Sequence, residues 1–218
     1  MKFSTRITDM HESPIRKLAP YAQTAKIKGK HVYHLNIGQP DIETPSSFME
    51  SIRNFEQKVL AYSPSQGIPE LISSVIQYYK KYDIFYEEDE ILITNGGSEA
   101  LLFSIIATAD AGDEILIPEP FYANYHGFCS MVNVSISPIT CKAEDGFHLP
   151  NKKAIEELIK PRTKAILLSH PGNPTGVVYT KEEINMLAEL AREYNLFIIS
   201  DEVYREFVYD GLEYNSFA

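Results

Sequence analysis

Between residues 91 and 201, short apolar runs alternate with segments whose apolar residues recur at helical spacing. The apolar runs predict strands at Ile91–Ile93, Glu114–Ile117, Val134–Ile139, Ala165–Leu168 and Leu196–Ile199. The intervening segments predict helices at Ser98–Ala109, Phe121–Met131 and Asn151–Ile159 and after Thr180. Runs without polar alternation are typical of strands buried on both faces. The pattern therefore predicts an α/β fold, a three-layer sandwich in which a mostly parallel sheet lies between helices.

Two helices carry clear start signals. Thr180 and Glu183 have the spacing of a capping box, and an apolar face follows them. Pro69–Tyr82 begins with a proline suited to a first helical turn. Residues 1–32 have mixed charges and little periodicity, so we interpret them as an N-terminal arm, and residues 33–218 as the main domain.

Composition excludes several classes of function. The chain has 218 residues, 44% apolar and 23% charged, as in ordinary globular proteins. Its net charge of −10, without a basic cluster longer than a pair, argues against a nucleic-acid or membrane partner. Neither the six histidines nor Cys129 and Cys141 have metal-ligand spacing, so no metal site is predicted. The absence of a signal peptide and of a disulfide framework predicts a cytoplasmic location.

Polar side chains follow two of the predicted strands. Asp201 and Tyr204 come directly after one strand, and Asn173 lies in a Pro- and Gly-bounded turn after another. A buried carboxylate needs a cationic or hydrogen-bonding partner. A protonated pyridine nitrogen would be such a partner for Asp201, although a strand-end Asp that caps a loop is a simpler alternative. His170, just before the turn, is either a strand-end histidine bonded to the backbone or a neighbour of the site.

The segments His170–Gly176 and Ser200–Tyr204, in this order, resemble the class I/II aminotransferases. These are fold-type-I enzymes that use pyridoxal 5′-phosphate (PLP) and are related to aspartate aminotransferase. The resemblance extends from Asn36 to Tyr204, and it implies that PLP is the cofactor and that the fold is the large domain of a PLP-dependent transferase.

The resemblance also implies a role for each matching residue. In the family, a glycine-rich turn before a helix binds the phosphate, an aromatic ring stacks on the pyridine, and polar side chains contact the ring nitrogen and ring oxygen. The matching cofactor-binding residues are Gly97 and Ser98 for the phosphate, Tyr122 for the ring face, Asp201 for the ring nitrogen, and Asn173 and Tyr204 for the ring oxygen. Outside the resemblance, Gly97 and Ser98 fit an ordinary loop, and Tyr122, Phe121 and Tyr125 fit simple packing roles.

Two further residues are assigned upstream. Gly38, within Leu35–Asp41, matches a position close to the substrate carboxylate, where a side chain would clash. Tyr62, within Ala61–Gly67, matches a tyrosine that reaches the PLP phosphate of the neighbouring subunit, which implies a homodimer. Without the resemblance, Tyr62 would be interpreted as structural.

The Schiff-base lysine of the family lies beyond the end of this chain at Ala218, so no catalytic residue is assigned. We therefore expect an N-terminal portion of an aminotransferase that exchanges an amino group between an amino acid and a 2-oxo acid. The large domain would be incomplete at its C-terminus, the small C-terminal domain absent, and the chain alone inactive. Two alternatives stay open: another fold-type-I enzyme, such as a C–S lyase or a cyclopropane-forming synthase, and a non-catalytic protein that keeps the PLP pocket for regulation or binding.

Overall fold

The computed structural model describes residues 1–8, 16–36, 38 and 40–218. The strands are β1 (Glu114–Glu119), β2 (Ser135–Thr140), β3 (Thr163–Ser169) and β4 (Phe197–Asp201). The helices are α1 (Thr5–Thr8), α2 (Ala19–Ile27), α3 (Ser46–Arg53), α4 (Pro69–Lys80), α5 (Gly97–Thr108), α6 (Asn124–Met131), α7 (Lys152–Glu156) and α8 (Lys181–Tyr194). None of the helices in the described part of the chain is long and apolar enough to cross a membrane.

The four strands form one parallel sheet in the order β2-β1-β3-β4. This confirms the predicted α/β fold with a parallel sheet. Because parallel strands all end at the same edge, the segments that follow β1, β3 and β4 meet there. The register pairs Ser169 at the end of β3 with Asp201 at the end of β4, which fixes the depth at which both strands leave the sheet.

Helices cover both faces of the sheet, and alternate side chains of the central strands enter two separate cores. On one face, buried residues of β1 and β3 pack with α5 and α6: Leu101, Ile105, Ile115, Ile117, Tyr125, Phe128, Ala165 and Leu167. On the other face, they pack with α7 and α8: Leu116, Ile155, Ile166, Leu168, Ile184, Leu187 and Leu190. The apolar runs of β1 and β3 therefore reflect burial on both faces, as predicted.

The predicted capping box of α8 is present. Thr180 Oγ1 accepts from the Glu183 amide at 3.2 Å, and the Glu183 carboxylate accepts from the Thr180 amide at 2.7 Å. The same carboxylate also accepts from the Leu149 amide at 2.7 Å and lies 2.9 Å from His148 Nδ1. Glu183 therefore starts the helix and holds the segment before α7 against it.

Three predicted elements differ from the structure. Ile91–Ile93 is extended but joins no strand of the described sheet; instead the Ile93 amide donates to Gln66 O at 2.8 Å. The helix predicted from Phe121 begins at Asn124, because a turn closed by the Tyr125 amide and Tyr122 O precedes it. The helix predicted to reach Ile159 ends at Glu156, and a tighter turn follows.

The described residues divide into two compact units. One contains the described residues of Met1–His11 together with Thr94–Ala218, and the other those of Glu12–Ile93. In the second unit, α4 begins with Pro69 in its first turn, as predicted. The division into an arm of residues 1–32 and a domain of residues 33–218 stays a prediction. Within those segments, residues 9–15, Ile37 and Gln39 lie outside the described residues.

Candidate functional site

An open cavity of about 230 Å³ lies at the carboxyl edge of the sheet, in the unit that contains it. Its lining residues come from the start of α5 and from the segments that follow β1, β3 and β4: Gly97, Ser98, Leu101, Tyr122, Ser169, Asn173, Asp201, Val203 and Tyr204. Six of the eight residues assigned from the sequence are among them. Four segments spread over more than one hundred residues of sequence thus converge on one cavity.

The first turn of α5 forms one wall of this cavity. Gly96 caps the helix at φ +77°, a conformation that favours glycine, and the Glu99 carboxylate accepts from the Asn95 amide at 2.7 Å. The first amides of a helix have no partner within the helix, and its N-terminus carries partial positive charge. A Cβ atom built on Gly97 meets nothing within 4 Å, so this wall is open to an approaching anion.

A tight turn after β3 presents Asn173. The turn is closed by hydrogen bonds from the Gly172 amide to Val177 O and from the Gly176 amide to Gly172 O, both at 2.8 Å. A Cβ atom on Gly172 would lie 2.6 Å from Thr175 Oγ1 and 2.8 Å from the Val177 side chain, so only glycine fits. The turn holds the half-buried Asn173 amide at the cavity.

Asp201, the last residue of β4, is half-buried at the cavity. Its Oδ2 accepts a hydrogen bond from the Tyr125 hydroxyl at 2.8 Å, and its Oδ1 accepts from the Val203 amide at 3.4 Å. Tyr204 follows in the next turn, is 39% exposed and also lines the cavity. Two hydrogen bonds thus fix the Asp201 carboxylate, and Val203 and Tyr204 line the cavity beside it.

Tyr122 lies in the turn between β1 and α6 and is half-buried. Its hydroxyl accepts from Asn124 Nδ2 at 2.7 Å, and its ring meets the Tyr125 ring edge-on with centroids 5.5 Å apart. These two contacts hold the ring at the cavity wall.

Tyr125 is a residue whose contact with the site the sequence analysis missed. The packing role given to it from the sequence is correct, because its side chain is fully buried in the core between α6 and the sheet. Its hydrogen bond to Asp201 joins residues 76 positions apart, and the apolar pattern gives no sign of it. The available signal was its position three residues after Tyr122, about one turn further along the chain.

Glu202 follows Asp201 but does not line the cavity. Its carboxylate accepts from Ser216 Oγ at 2.8 and 3.0 Å, from Ser200 Oγ at 3.1 Å and from the Phe217 amide at 3.3 Å. Arg205 Nη1 lies 3.9 Å from the same carboxylate. Glu202 therefore anchors the segment around Ser216 to the end of β4.

His170 is fully buried just before the Asn173 turn. Its Nε2 lies 3.0 Å from Asn215 O and its Nδ1 lies 3.4 Å from the Tyr179 amide. Because a carbonyl only accepts and an amide only donates, the neutral tautomer with its proton on Nε2 satisfies both contacts. The Tyr179 and Tyr214 rings stack against the imidazole. Of the two interpretations of His170, the structure supports the strand-end histidine bonded to the backbone.

This environment predicts a pH dependence of stability. Burial lowers the pKa of His170 below its ordinary value of 6.5. Between the folded and unfolded pKa values the unfolded chain binds more protons, so the stability from this residue is present above pH 6.5 and decreases as the pH falls below it. We expect the melting temperature of the complete protein to fall more between pH 7.5 and pH 5 than that of His170→Gln. Equal decreases in thermal scans of the two proteins would contradict this.

The two remaining assigned residues, Gly38 and Tyr62, belong to the other unit and are exposed there. A Cβ atom built on Gly38 meets nothing within 4 Å, so no steric need for glycine exists among the described residues around it. The roles of Gly38 and Tyr62 stay predictions.

The residues around the cavity have the chemistry that PLP requires. A helix N-terminus with Gly97 and Ser98 suits a phosphate, and a carboxylate suits a protonated ring nitrogen. The Asn173 amide and the Tyr204 phenol are donors suited to a ring oxygen, and the Tyr122 ring offers an aromatic face. The residues present therefore fit this cofactor.

Comparison with known proteins identifies the family to which this chain is similar. Residues 30–217 match the sequence profile of the family described as Aminotransferase class I and II. The chain is 37% identical to a probable aspartate aminotransferase of Methanocaldococcus jannaschii over 97% of this chain and 55% of that protein. It is 33% identical to the aspartate aminotransferase of Pyrococcus horikoshii, over 96% of this chain and 53% of that protein.

A solved structure shows the same relation in three dimensions. The aspartate aminotransferase of Thermotoga maritima superposes with a TM-score of 0.92 at 31% identity, over 99% of this chain and 57% of that chain. The resemblance found in the sequence and the predicted large-domain fold are thereby confirmed. The chain spans about half the length of the curated relatives it matches.

Proposed function

Because this chain belongs to the class I and II aminotransferase family, we propose that the complete protein is a PLP-dependent aminotransferase. It transfers an amino group between an amino acid and a 2-oxo acid. The observation that carries the proposal is the convergence of Gly97, Ser98, Tyr122, Asn173, Asp201 and Tyr204 on one cavity at the carboxyl edge of the sheet. In open parallel sheets, ligands bind at this edge.

Each of these residues has a distinct task in the proposed reaction. Gly97 and Ser98 bind the phosphate through the helix N-terminus and the serine hydroxyl. The Tyr122 ring covers one face of the pyridine and excludes water from it. The Asn173 amide and the Tyr204 hydroxyl would donate hydrogen bonds to the ring oxygen and so orient the cofactor.

Asp201 has the central electrostatic task. When bound, PLP supplies an electron sink for charge that develops at the substrate α-carbon. The Asp201 carboxylate holds a proton at the ring nitrogen, and this protonation strengthens the sink. Because Asp201 is half-buried and fixed by two hydrogen bonds, it needs little reorganisation during the reaction.

The direct test is to incubate the complete protein with PLP, single amino acids and 2-oxoglutarate, and to measure glutamate. Aspartate is the first donor to test, because several relatives are named aspartate aminotransferases. We expect glutamate to form in equal amount to the 2-oxo acid derived from the donor. Release of ammonia and pyruvate without amino transfer would favour a C–S lyase. Tight PLP binding without any turnover would favour a non-catalytic binding protein.

We also propose that the complete protein is a homodimer in which Tyr62 reaches the PLP phosphate of the partner subunit. Its phenol is fully exposed in its own unit, which supports a partner outside that unit. We expect Tyr62→Phe to weaken PLP binding by about tenfold, the cost of one hydrogen bond to a charged group. Equilibrium dialysis measures this, with Tyr33→Phe, another exposed tyrosine, as the control. Unchanged PLP affinity in Tyr62→Phe, or an active monomer, would contradict the proposal.

Three further assignments belong to the same proposal. Gly38 lies near the substrate carboxylate, residues 1–32 form an arm, and residues 33–218 form part of the PLP-binding large domain. The protein works in the cytoplasm, which its two free, buried cysteines support.

A further inference from the structure

Tyr125 lies behind the cavity and touches two of its proposed functional residues. Its side chain is fully buried, and its hydroxyl donates to Asp201 Oδ2 at 2.8 Å. Its ring also meets the Tyr122 ring edge-on, with centroids 5.5 Å apart and planes at 87°. One rigid, buried side chain therefore connects the proposed partner of the ring nitrogen with the proposed ring stack.

The Tyr125 hydroxyl is suited to hold a carboxylate without cancelling its charge. Burial, and then the nearby Asp201 charge, raise the pKa of this phenol far above its ordinary value. The hydroxyl therefore keeps its proton and remains a donor around neutral pH. A neutral donor fixes the position of Oδ2 and leaves the negative charge of Asp201 available to a cationic partner.

The remaining contacts of Tyr125 restrict its movement. Its ring stacks against Phe121 with centroids 6.1 Å apart, and the residue sits in the first turns of α6 against the sheet. Buried Ser169, at the end of β3, lines the cavity next to it and donates its own hydroxyl to Pro171 O at 2.9 Å. These contacts hold the Tyr125 hydroxyl in place, and its hydrogen bond in turn holds the Asp201 carboxylate.

We propose that Tyr125 is a positioning residue that fixes the Asp201 carboxylate for the ring nitrogen of PLP and holds Tyr122 at the ring face. The proposal rests on the proposed function. It goes beyond it by assigning a functional contact to a residue that does not line the cavity. A purely structural role, in which Tyr125 only fills the core, makes a different prediction: removing the hydroxyl would then change stability but not ligand binding.

The test measures ligand affinity rather than turnover. The probe is pyridoxine 5′-phosphate, which has no aldehyde and so reports only non-covalent contacts. Its dissociation constant is measured by calorimetry on the cofactor-free complete protein, for wild type, Tyr125→Phe, Asp201→Ala and the double variant. We expect Tyr125→Phe to weaken binding about tenfold in the wild-type background, and less than about twofold when Asp201 is already alanine.

Two further variants separate positioning from packing. Tyr179→Phe removes another buried phenol, in the core on the opposite face of the sheet, and should leave the affinity within about twofold of wild type. 4-Aminophenylalanine at position 125 keeps a donor at the end of the ring and should restore most of the affinity, even if Tyr125→Phe is too unstable to measure.

Each outcome has a definite meaning. Wild-type affinity in Tyr125→Phe, equal weakening with and without the Asp201 carboxylate, or no rescue by 4-aminophenylalanine would overturn the inference about Tyr125 while leaving the proposed function intact. If the wild-type protein does not bind pyridoxine 5′-phosphate, the proposed function fails, and the inference fails with it.

Discussion

The complete protein carrying Asp201→Asn is expected to bind PLP and to lose turnover by about 100-fold to 1,000-fold. The amide has the shape of the carboxylate but cannot stabilise a proton on the ring nitrogen, so the electron sink is weakened in the transition state. The hydrogen bonds from Tyr125 and Val203 give the carboxylate a fixed position, which is why its loss is expected to be so costly. The measurement is kcat for glutamate formation at saturating PLP and substrates.

Asp210→Asn is the matched control for this change. Asp210 is exposed, and its φ of +58° is one that Asn tolerates well, so the same substitution there removes a charge without disturbing the backbone. We expect its kcat to stay within about twofold of wild type. Near-normal turnover in Asp201→Asn would mean that the ring nitrogen does not face Asp201, and the roles of Asn173 and Tyr204 would then have to be reassigned.

Gly97→Asp is expected to weaken PLP binding strongly while leaving the fold intact. A Cβ atom at this position meets nothing within 4 Å, so a side chain can begin here without a clash. An acidic residue in the first turn also favours the helix, so the melting temperature should stay the same or rise. The same carboxylate lies where the phosphate is proposed to bind, and repulsion between the two should weaken PLP binding at least about 100-fold.

Gly97→Asn isolates the effect of charge, because Asn and Asp have nearly the same size. We expect Gly97→Asn to bind PLP at least about tenfold more tightly than Gly97→Asp, and the gap to narrow at high salt as charges are screened. Equal affinities in fluorescence titrations of the two variants would show that the start of α5 is not the phosphate site. A lower melting temperature in Gly97→Asp would instead indicate that the helix N-terminus is differently arranged.

The sheet could be predicted because its central strands, β1 and β3, are buried on both faces. Burial leaves an uninterrupted apolar run such as Ala165–Leu168, and a polar residue marks where the run ends. The candidate site could be predicted for a related reason. Parallel strands end together, so Asn173 and Asp201, each placed after such a run, had to meet at one edge.

Other features depend on contacts that a linear pattern does not contain. Ile91–Ile93 has the composition of a strand, but a strand exists only with a partner, and the partner is not encoded in the run itself. The hydrogen bond between Tyr125 and Asp201 depends on where α6 lies against β4, which is decided by the packing of the whole core.

The adjacent carboxylates of Asp201 and Glu202 make the protein unusually sensitive to changes of chain length just before them. Asp201 lines the cavity and accepts a hydrogen bond from Tyr125. Glu202 accepts hydrogen bonds from Ser216 and Phe217 instead. A deletion of one residue at Asn195 or Leu196 that slid β4 along β3 would bring Glu202 to the position of Asp201, and an insertion would bring Asp201 to the position of Glu202. Because Asn195 and Leu196 are neutral, losing one of them would preserve the net charge, yet one carboxylate would then lie at the position of the other. An engineer should therefore leave the length of this segment unchanged.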